Sequence, residues 1–214
     1  MELVPKEIEA YVEAHTEAES ELLRHVNRET HAKALKPRML SGHMQGRVLA
    51  LFSRLLRPER ILEVGTYTGY SALCLCEGLA ENGKLITIDV NEELETQVRS
   101  TFDQSPFGSK IDYRIGNALD IIPSIQEQLD LVFIDADKAN YQTYYDMVID
   151  QVRPGGIIMA DNVLWSGKVV ETSPRKTDKD TQALLDFNRS LSQDERVHCL
   201  LLPIRDGIMI AQKK

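Results

Sequence analysis

Ile61-Leu62-Glu63-Val64-Gly65-Thr66-Tyr67-Thr68-Gly69-Tyr70-Ser71 decides the fold. A short apolar run breaks at Gly65. After Gly69, apolar residues return at helical spacing: Ala72, Leu73, Leu75, Cys76 and Leu79. The pattern predicts a strand, a tight turn and a helix. The two glycines admit positive φ and let a ligand come close to the backbone, with the amides that open the helix turned toward it. The Gly-x-x-x-Gly spacing is neither the Gly-x-Gly-x-x-Gly of nicotinamide enzymes nor a phosphate loop ending in Gly-Lys-Ser/Thr. Taken alone, it also suits an ordinary strand-to-helix connection.

Four more strands repeat the arrangement. Lys84–Asp89 ends in an acid, placed where an α/β nucleotide-binding fold sets a carboxylate on ribose hydroxyls. Asp89 also suits a cap for the helix opened by Asn91-Glu92-Glu93. Ile111–Ile115 runs into Gly116-Asn117-Ala118, small residues that leave room for a flat ring. Asp130–Asp135 is almost continuously apolar, as strands buried on both faces of a parallel sheet are. It delivers Asp135-Ala136-Asp137-Lys138-Ala139-Asn140-Tyr141 to its carboxyl end. Gly155–Ala160 delivers Asp161-Asn162. Strands around Asp206-Gly207, Val197–Ile204 and Ile208–Ala211, read as a hairpin that adds an antiparallel pair.

The remaining chain frames this sheet. Residues 6–30 favour helix, with a thin apolar stripe at Ile8, Tyr11, Val12, Leu22, Leu23 and Val26. It suits a helix on the surface or against a second subunit, or a solvated charged helix. Lys36–Gly46 is a loop entering a helix with Ser41 as N-cap, and Val48, Leu49, Leu51, Phe52, Leu55 and Leu56 carry the helical stripe to Pro58. His43 is a candidate base, but with no carboxylate nearby in sequence to orient it, it reads rather as a structural or surface histidine. The polar stretch 166–180 reads as a mobile loop.

The chain has 214 residues, 43% hydrophobic and 27% charged, which suits one domain over 1–214 with residues 1–35 as an N-terminal helical extension. A net charge of −8 argues against a nucleic-acid surface, and no apolar run is long enough to span a membrane. The charged N-terminus lacks a secretory apolar core. Cys74, Cys76 and Cys199 include no Cys-x-x-Cys pair and read as reduced, small apolar residues of a cytoplasmic protein.

Strand ends are where such a sheet builds its site. Asp135, Asp161 and Asn162 offer hard oxygen ligands that suit Mg²⁺, Mn²⁺ or Ca²⁺ and disfavour structural zinc. Strand-end acids that only cap helices are the alternative. A metal-bound phenolic hydroxyl loses its proton more readily, and Lys138, three residues beyond Asp135, could receive it.

Ile61–Ser71, Phe133–Tyr141 and Asp161-Asn162-Val163-Leu164-Trp165 together resemble the cation-dependent class I O-methyltransferases. The likeness is greatest to caffeoyl-CoA O-methyltransferase-like proteins and more distant to catechol O-methyltransferase. The resemblance implies a Rossmann-like, seven-stranded, mostly parallel sheet with an antiparallel C-terminal strand and helices on both faces. It also implies S-adenosyl-L-methionine as methyl donor, a divalent cation and a homodimer. Carried onto this chain, the cofactor would meet Ser41, Glu63, Gly65, Ser71, Asp89, Ala118, Asp135 and Asp137. Asp89 would hold the ribose and Ala118 would lie by the adenine. Asp135, Asp161 and Asn162 would bind the metal, and Lys138 would be the base. Lys138, Tyr141, Trp165 and Ser166 would meet the acceptor, with Tyr141 and Trp165 walling its ring. Ser166 stands where the plant enzymes place an asparagine, and their substrate loop is not recognisable in 173–180. Broad use of catechols, caffeic acid or flavonoid-like diphenols fits this better than a CoA thioester alone. A metal-independent methyltransferase and a non-catalytic nucleotide-binding module are the rival readings.

Overall fold

The computed structural model describes residues 4–171 and 177–214. In chain order the helices are α1 (Lys6–Ala14), α2 (Glu21–Lys33), α3 (Gly42–Leu56), α4 (Tyr70–Cys76), α5 (Glu95–Asp103), α6 (Ala118–Ile121), α7 (Tyr141–Val148) and α8 (Lys179–Gln193). The strands are β1 (Arg60–Val64), β2 (Lys84–Asp89), β3 (Ile111–Ile115), β4 (Leu129–Ile134), β5 (Val152–Ala160), β6 (Val197–Leu202) and β7 (Ile208–Lys213). They form one seven-stranded sheet in the order β3-β2-β1-β4-β5-β7-β6. Pairing is parallel from β3 through β5, and β7 runs antiparallel to both β5 and β6.

Alternation along each buried strand explains why helices cover both faces. In β4, Val132 and Ile134 pack with Tyr141, Tyr145, Phe187 and Leu191 from α7 and α8. Leu131 and Phe133 point the other way, into Leu23, Leu49, Leu73, Val98 and Phe102 from α2 to α5. All four β4 side chains are fully buried, and each contributes about 1.5–3 kcal/mol of apolar transfer. Strand order reverses between β1 and β4, which puts the switch point of the sheet beside Gly65 and Asp135.

The register sets the site's geometry. Val64, Ile134 and Ala160 lie level across the sheet, as do Val64 and Ile88. One residue further on, the ladder continues through Gly65 N to Ile88 O at 2.9 Å, Asp135 N to Val64 O at 2.8 Å, and Asp161 N to Ile134 O at 3.0 Å. Gly65, Asp135 and Asp161 therefore emerge at one level.

Four expectations change. Residues 6–30 form two helices rather than one stripe. α1 buries nothing, whereas α2, capped by Ser20 accepting from Leu23 N at 3.2 Å, buries Leu23, Val26 and Thr30. Ser41 stands at the start of α3 but its side chain caps nothing, because its backbone is already helical. The buried face of α3 is also not the predicted one: Gln45, Gly46, Arg47, Leu49, Ala50 and Ser53 point inward, and Leu51 and Leu55 stay exposed. Close packing decides this. A Cβ on Gly46 would stand 2.7 Å from the Tyr70 ring and 2.8 Å from Cys74 Sγ, and Ser53 Oγ donates to Leu75 O at 2.6 Å. Small residues let α3 press on α4 where leucines could not. All three cysteines are free. Cys74 and Cys76 are buried as expected, but Cys199 lies exposed on β6.

Candidate active site

At the carboxyl ends of β1 and β4, a cavity is lined by Leu40, Ser41, Gly65, Thr66, Ser71 and Asp135, among others. Four of the residues assigned to the cofactor, Ser41, Gly65, Ser71 and Asp135, thus share one wall. The glycines, however, serve the protein's own atoms. Gly65 has φ +103°, and a Cβ there would stand 2.0 Å from the carbonyl oxygen of Asp135. Gly69 has φ +83° and is filled on its open side by the Phe102 ring, 2.6 Å from a virtual Cβ. Gly69 is therefore required for packing rather than for ligand approach.

Asp89 closes the turn from the next strand. Its Oδ2 accepts from the amides of Thr66 at 3.0 Å and Tyr67 at 2.6 Å, and its Oδ1 accepts from Asn91 N at 2.9 Å. Asp89 thus restrains the segment after β1, while the cap of the turn that follows β2 is Asn91, whose Oδ1 accepts from Glu93 N at 3.0 Å. Glu63 is wholly buried beneath. Thr87 Oγ1 donates to its Oε2 at 2.5 Å, and Thr66 and Thr87 hydroxyls pair at 2.6 Å. Burial pushes the Glu63 carboxyl up to about 8, opposed by the hydroxyls of Ser71 and Thr87. Ala118 is buried at the first turn of α6, whose Asn117 cap accepts from Leu119 N at 3.0 Å. Asp137 is exposed but tightly held, Oδ1 by the Tyr144 hydroxyl at 2.6 Å and Oδ2 by Asn140 Nδ2 at 2.5 Å.

The second cluster gathers on Lys138, only 8% exposed. Its Nζ donates to Asp135 Oδ1 at 3.2 Å, Asn162 Oδ1 at 3.0 Å and the Tyr141 hydroxyl at 2.5 Å. Three acceptors use all three donors of an ammonium group. Asn162 presents its side chain from a left-handed backbone, φ 58°. Asp161 is 3% exposed; its Oδ1 accepts from Asn162 N at 2.7 Å and its Oδ2 from Gln45 Nε2 at 2.8 Å. Burial and the nearby charge of Asp135 push the Asp161 carboxyl above the usual carboxylate range. Two carboxylates that repel one another, Asp161 buried and Asp135 part-exposed, next to an amide oxygen, form a donor set that fits a hard divalent cation. Among the described residues, no group of three or more His, Cys, Asp or Glu side chains stands in ligating array.

Tyr141 does not wall an acceptor. It is fully buried, its ring lies edge-on to Phe187 at 5.5 Å, and its hydroxyl donates to Asp161 O at 3.0 Å while supporting Lys138. Trp165 is half-buried against the core on the α7–α8 side, with Lys138 Nζ 6.0 Å and Lys168 Nζ 5.7 Å from its ring. Ser166 is exposed, and its amide donates to Asp206 Oδ1 at 2.5 Å. His43 is structural, as read: Nε2 pairs with Glu17 O at 2.7 Å. Part of the expected loop 166–180, and of the substrate loop 173–180, lies outside the described residues. Sequence reasoning missed Gln45, Tyr144 and Thr87. Of these only Thr87 carries a signal in sequence, a hydroxyl interrupting the apolar run Leu85-Ile86-Thr87-Ile88.

A doubly wound sheet with a cavity at its switch point, and an acid–lysine–amide cluster sharing Asp135 with that cavity, defines a small-molecule enzyme of the α/β type. The chain belongs to the O-methyltransferase family, whose profile matches residues 12–214. It is 33% identical over 196 residues to a caffeoyl-CoA O-methyltransferase of Petroselinum crispum, covering 87% of this chain and 81% of that protein. SAH-bound methyltransferase PaMTH1 of Podospora anserina superposes with a TM-score of 0.89 at 27% identity, covering 100% of this chain and 99% of the other. The O-methyltransferase TomG of Streptomyces achromogenes, solved with SAM, gives 0.88 at 27% identity, covering 97% and 96%.

Proposed function

We propose that this chain transfers the methyl group of S-adenosyl-L-methionine to a hydroxyl of a catechol-type acceptor, such as caffeic acid, its CoA ester or a flavonoid-like diphenol. The observation that carries the reading is the double position of Asp135, which lines the cavity with Ser41 and Ser71 and also holds Lys138. Donor pocket and proton-handling cluster therefore meet at one residue. The SAM and SAH complexes of related folds support the choice of donor.

Transfer forms an oxygen–methyl bond and breaks the sulfonium–methyl bond, and the phenol gives up its proton. The enzyme's main task is to align acceptor oxygen and methyl group. Asp135, Asp161 and Asn162 would hold a divalent cation, Mg²⁺ in the first place, with Mn²⁺ or Ca²⁺ as alternatives. Such a cation supplies a lowered pKa at a bound hydroxyl. As observed, Lys138 Nζ has its donors filled. With Asp135 and Asn162 engaged elsewhere, it would keep Tyr141 as partner, and, once it has released one of its own protons to solvent, its free lone pair would take the phenol proton. Trp165 and Ser166 would meet the acceptor ring; the 6.0 Å from Lys138 Nζ to the Trp165 ring supports the first of these.

One observation favours a second reading: Lys138 Nζ itself bridges Asp135 and Asn162, the charge role a cation would take. A methyl-transfer assay over catechols and CoA esters, with and without EDTA, separates the two. Loss of product in chelator, restored by Mg²⁺, supports the cation-dependent enzyme; full turnover in chelator gives the metal-independent one. If calorimetry detects no binding of S-adenosyl-L-methionine, both fall, and a non-catalytic module is left.

A homodimer belongs to the same proposal. Ile8 and Tyr11 on α1 and Leu51 and Leu55 on α3 leave apolar surface that a second copy would cover. Sedimentation at the monomer mass would count against it. Reduced cysteines support a cytoplasmic setting; among the described residues, no helix is long and apolar enough to cross a membrane.

A further inference from the structure

Behind Asp161 runs a chain of polar contacts that the methyl-transfer reading does not use. Gln45 sits in the first turn of α3 and is 1% exposed. Its Nε2 donates to Asp161 Oδ2 at 2.8 Å, while Asp161 Oδ1 is held by the Asn162 amide at 2.7 Å. Gln45 Oε1 faces Arg205 Nη1 at 3.5 Å, and the same Nη1 donates to Leu40 O at 2.9 Å. Arg205 lies in the turn between β6 and β7 with φ 52°. Leu40 lines the cavity next to Ser41.

The residue type at position 45 matters. A buried amide is costly unless both its ends are satisfied, and here both are. A lysine or arginine in its place would pair with Asp161 and cancel its charge. A glutamate would repel the carboxylate and could not donate to it when ionised. A glutamine fixes the plane of the carboxylate and leaves its negative charge available.

We infer that Gln45 is a positioning residue for cation binding: it orients the Asp161 carboxylate, and Arg205 orients Gln45 from the β6–β7 turn. The inference rests on the cation site proposed above. Its consequence is that affinity for the cation depends on a contact from the helix that also borders the donor cavity.

The test uses the full chain, with Mn²⁺ as probe, followed by calorimetry and by the electron paramagnetic resonance of bound Mn²⁺. Gln45→Met keeps length and apolar bulk and removes the donor. It is expected to weaken Mn²⁺ binding about tenfold, the usual worth of a hydrogen bond to a charged group, and to alter the line shape of the bound ion. Arg205→Met is expected to cause a smaller loss in the same direction. Affinity for S-adenosyl-L-methionine without Mn²⁺ should hold in both variants. Unchanged Mn²⁺ affinity in Gln45→Met overturns the inference, and so does an equal loss of both ligands, which would mark a merely structural role. If wild-type protein binds no Mn²⁺, the cation reading falls and this inference with it; wild-type binding with an unaffected variant defeats Gln45 alone. Should Gln45→Met fail to fold by circular dichroism, Arg205→Met is judged on the same criteria.

Discussion

Gly65 and Asp135 occupy adjoining strand ends so closely that a Cβ on the glycine would stand 2.0 Å from the aspartate's carbonyl oxygen. The backbone atom involved cannot swing aside like a flexible side chain. Gly65→Ala must therefore shift β4's exit or β1's, at a φ of +103° that an alanine also resists. The expected cost is about 2–5 kcal/mol, with a lower melting temperature and weaker binding of S-adenosyl-L-methionine. Differential scanning fluorimetry and calorimetry check both. An unchanged melting temperature would mean that the two strand ends are not coupled as described.

Lys138 is buried against Asp135 and Asn162, so Lys138→Met removes the local positive charge and with it the group proposed to receive the proton after deprotonation. Turnover should drop by about 10²–10⁴-fold, the range of general acid–base effects, while donor affinity changes little. Steady-state kinetics with a catechol acceptor, together with calorimetry of the donor, reads the split. A rise in KM with kcat intact would contradict the role.

Asp89 binds the Thr66 and Tyr67 amides through Oδ2. Asp89→Ala leaves those two amides without their acceptor and removes the carboxylate assigned to the ribose. Donor affinity should fall at least about tenfold, the value of one charge-assisted hydrogen bond. Asp89→Asn keeps an acceptor oxygen and should lose less. Equal affinities in all three proteins would remove Asp89 from the donor site.

Glu63 sets a pH dependence whose sign follows from its burial. Its carboxyl is raised from the ordinary 4.5 to about 8, so the folded state holds a proton that the unfolded chain has released. The corresponding stability is fully present below about 4.5 and is lost as pH rises through 8, at up to about 1.4 kcal/mol per pH unit. Glu63→Gln lacks this loss. The melting temperature of the variant relative to wild type should therefore climb between pH 5 and pH 8. Parallel melting curves across that window would show that Glu63 does not titrate there.

The sequence by itself determined the sheet and its punctuation. Period-two and continuous apolar runs locate β1 to β5 within a few residues, because buried strands have few other ways to be written. The same runs place Gly65, Asp89, Asp135 and Asp161 at strand ends, where a parallel sheet has to build its site. Tertiary structure alone decided which atoms those residues face. Gly69 was legible as a glycine but not as the seat of the Phe102 ring. Tyr141 reads in sequence as a wall for the acceptor ring, but α8 brings Phe187 against it and the ring packs. The stripe Leu51–Leu55 suggested one buried face of α3, yet the helix turns its small and polar face inward, since only Gly46, Ala50 and Ser53 permit α4 to approach. Gln45 reaches Asp161 for the same reason. Periodicity records what one segment hides from water; which neighbour it is hidden against depends on distances between segments that are remote in the chain.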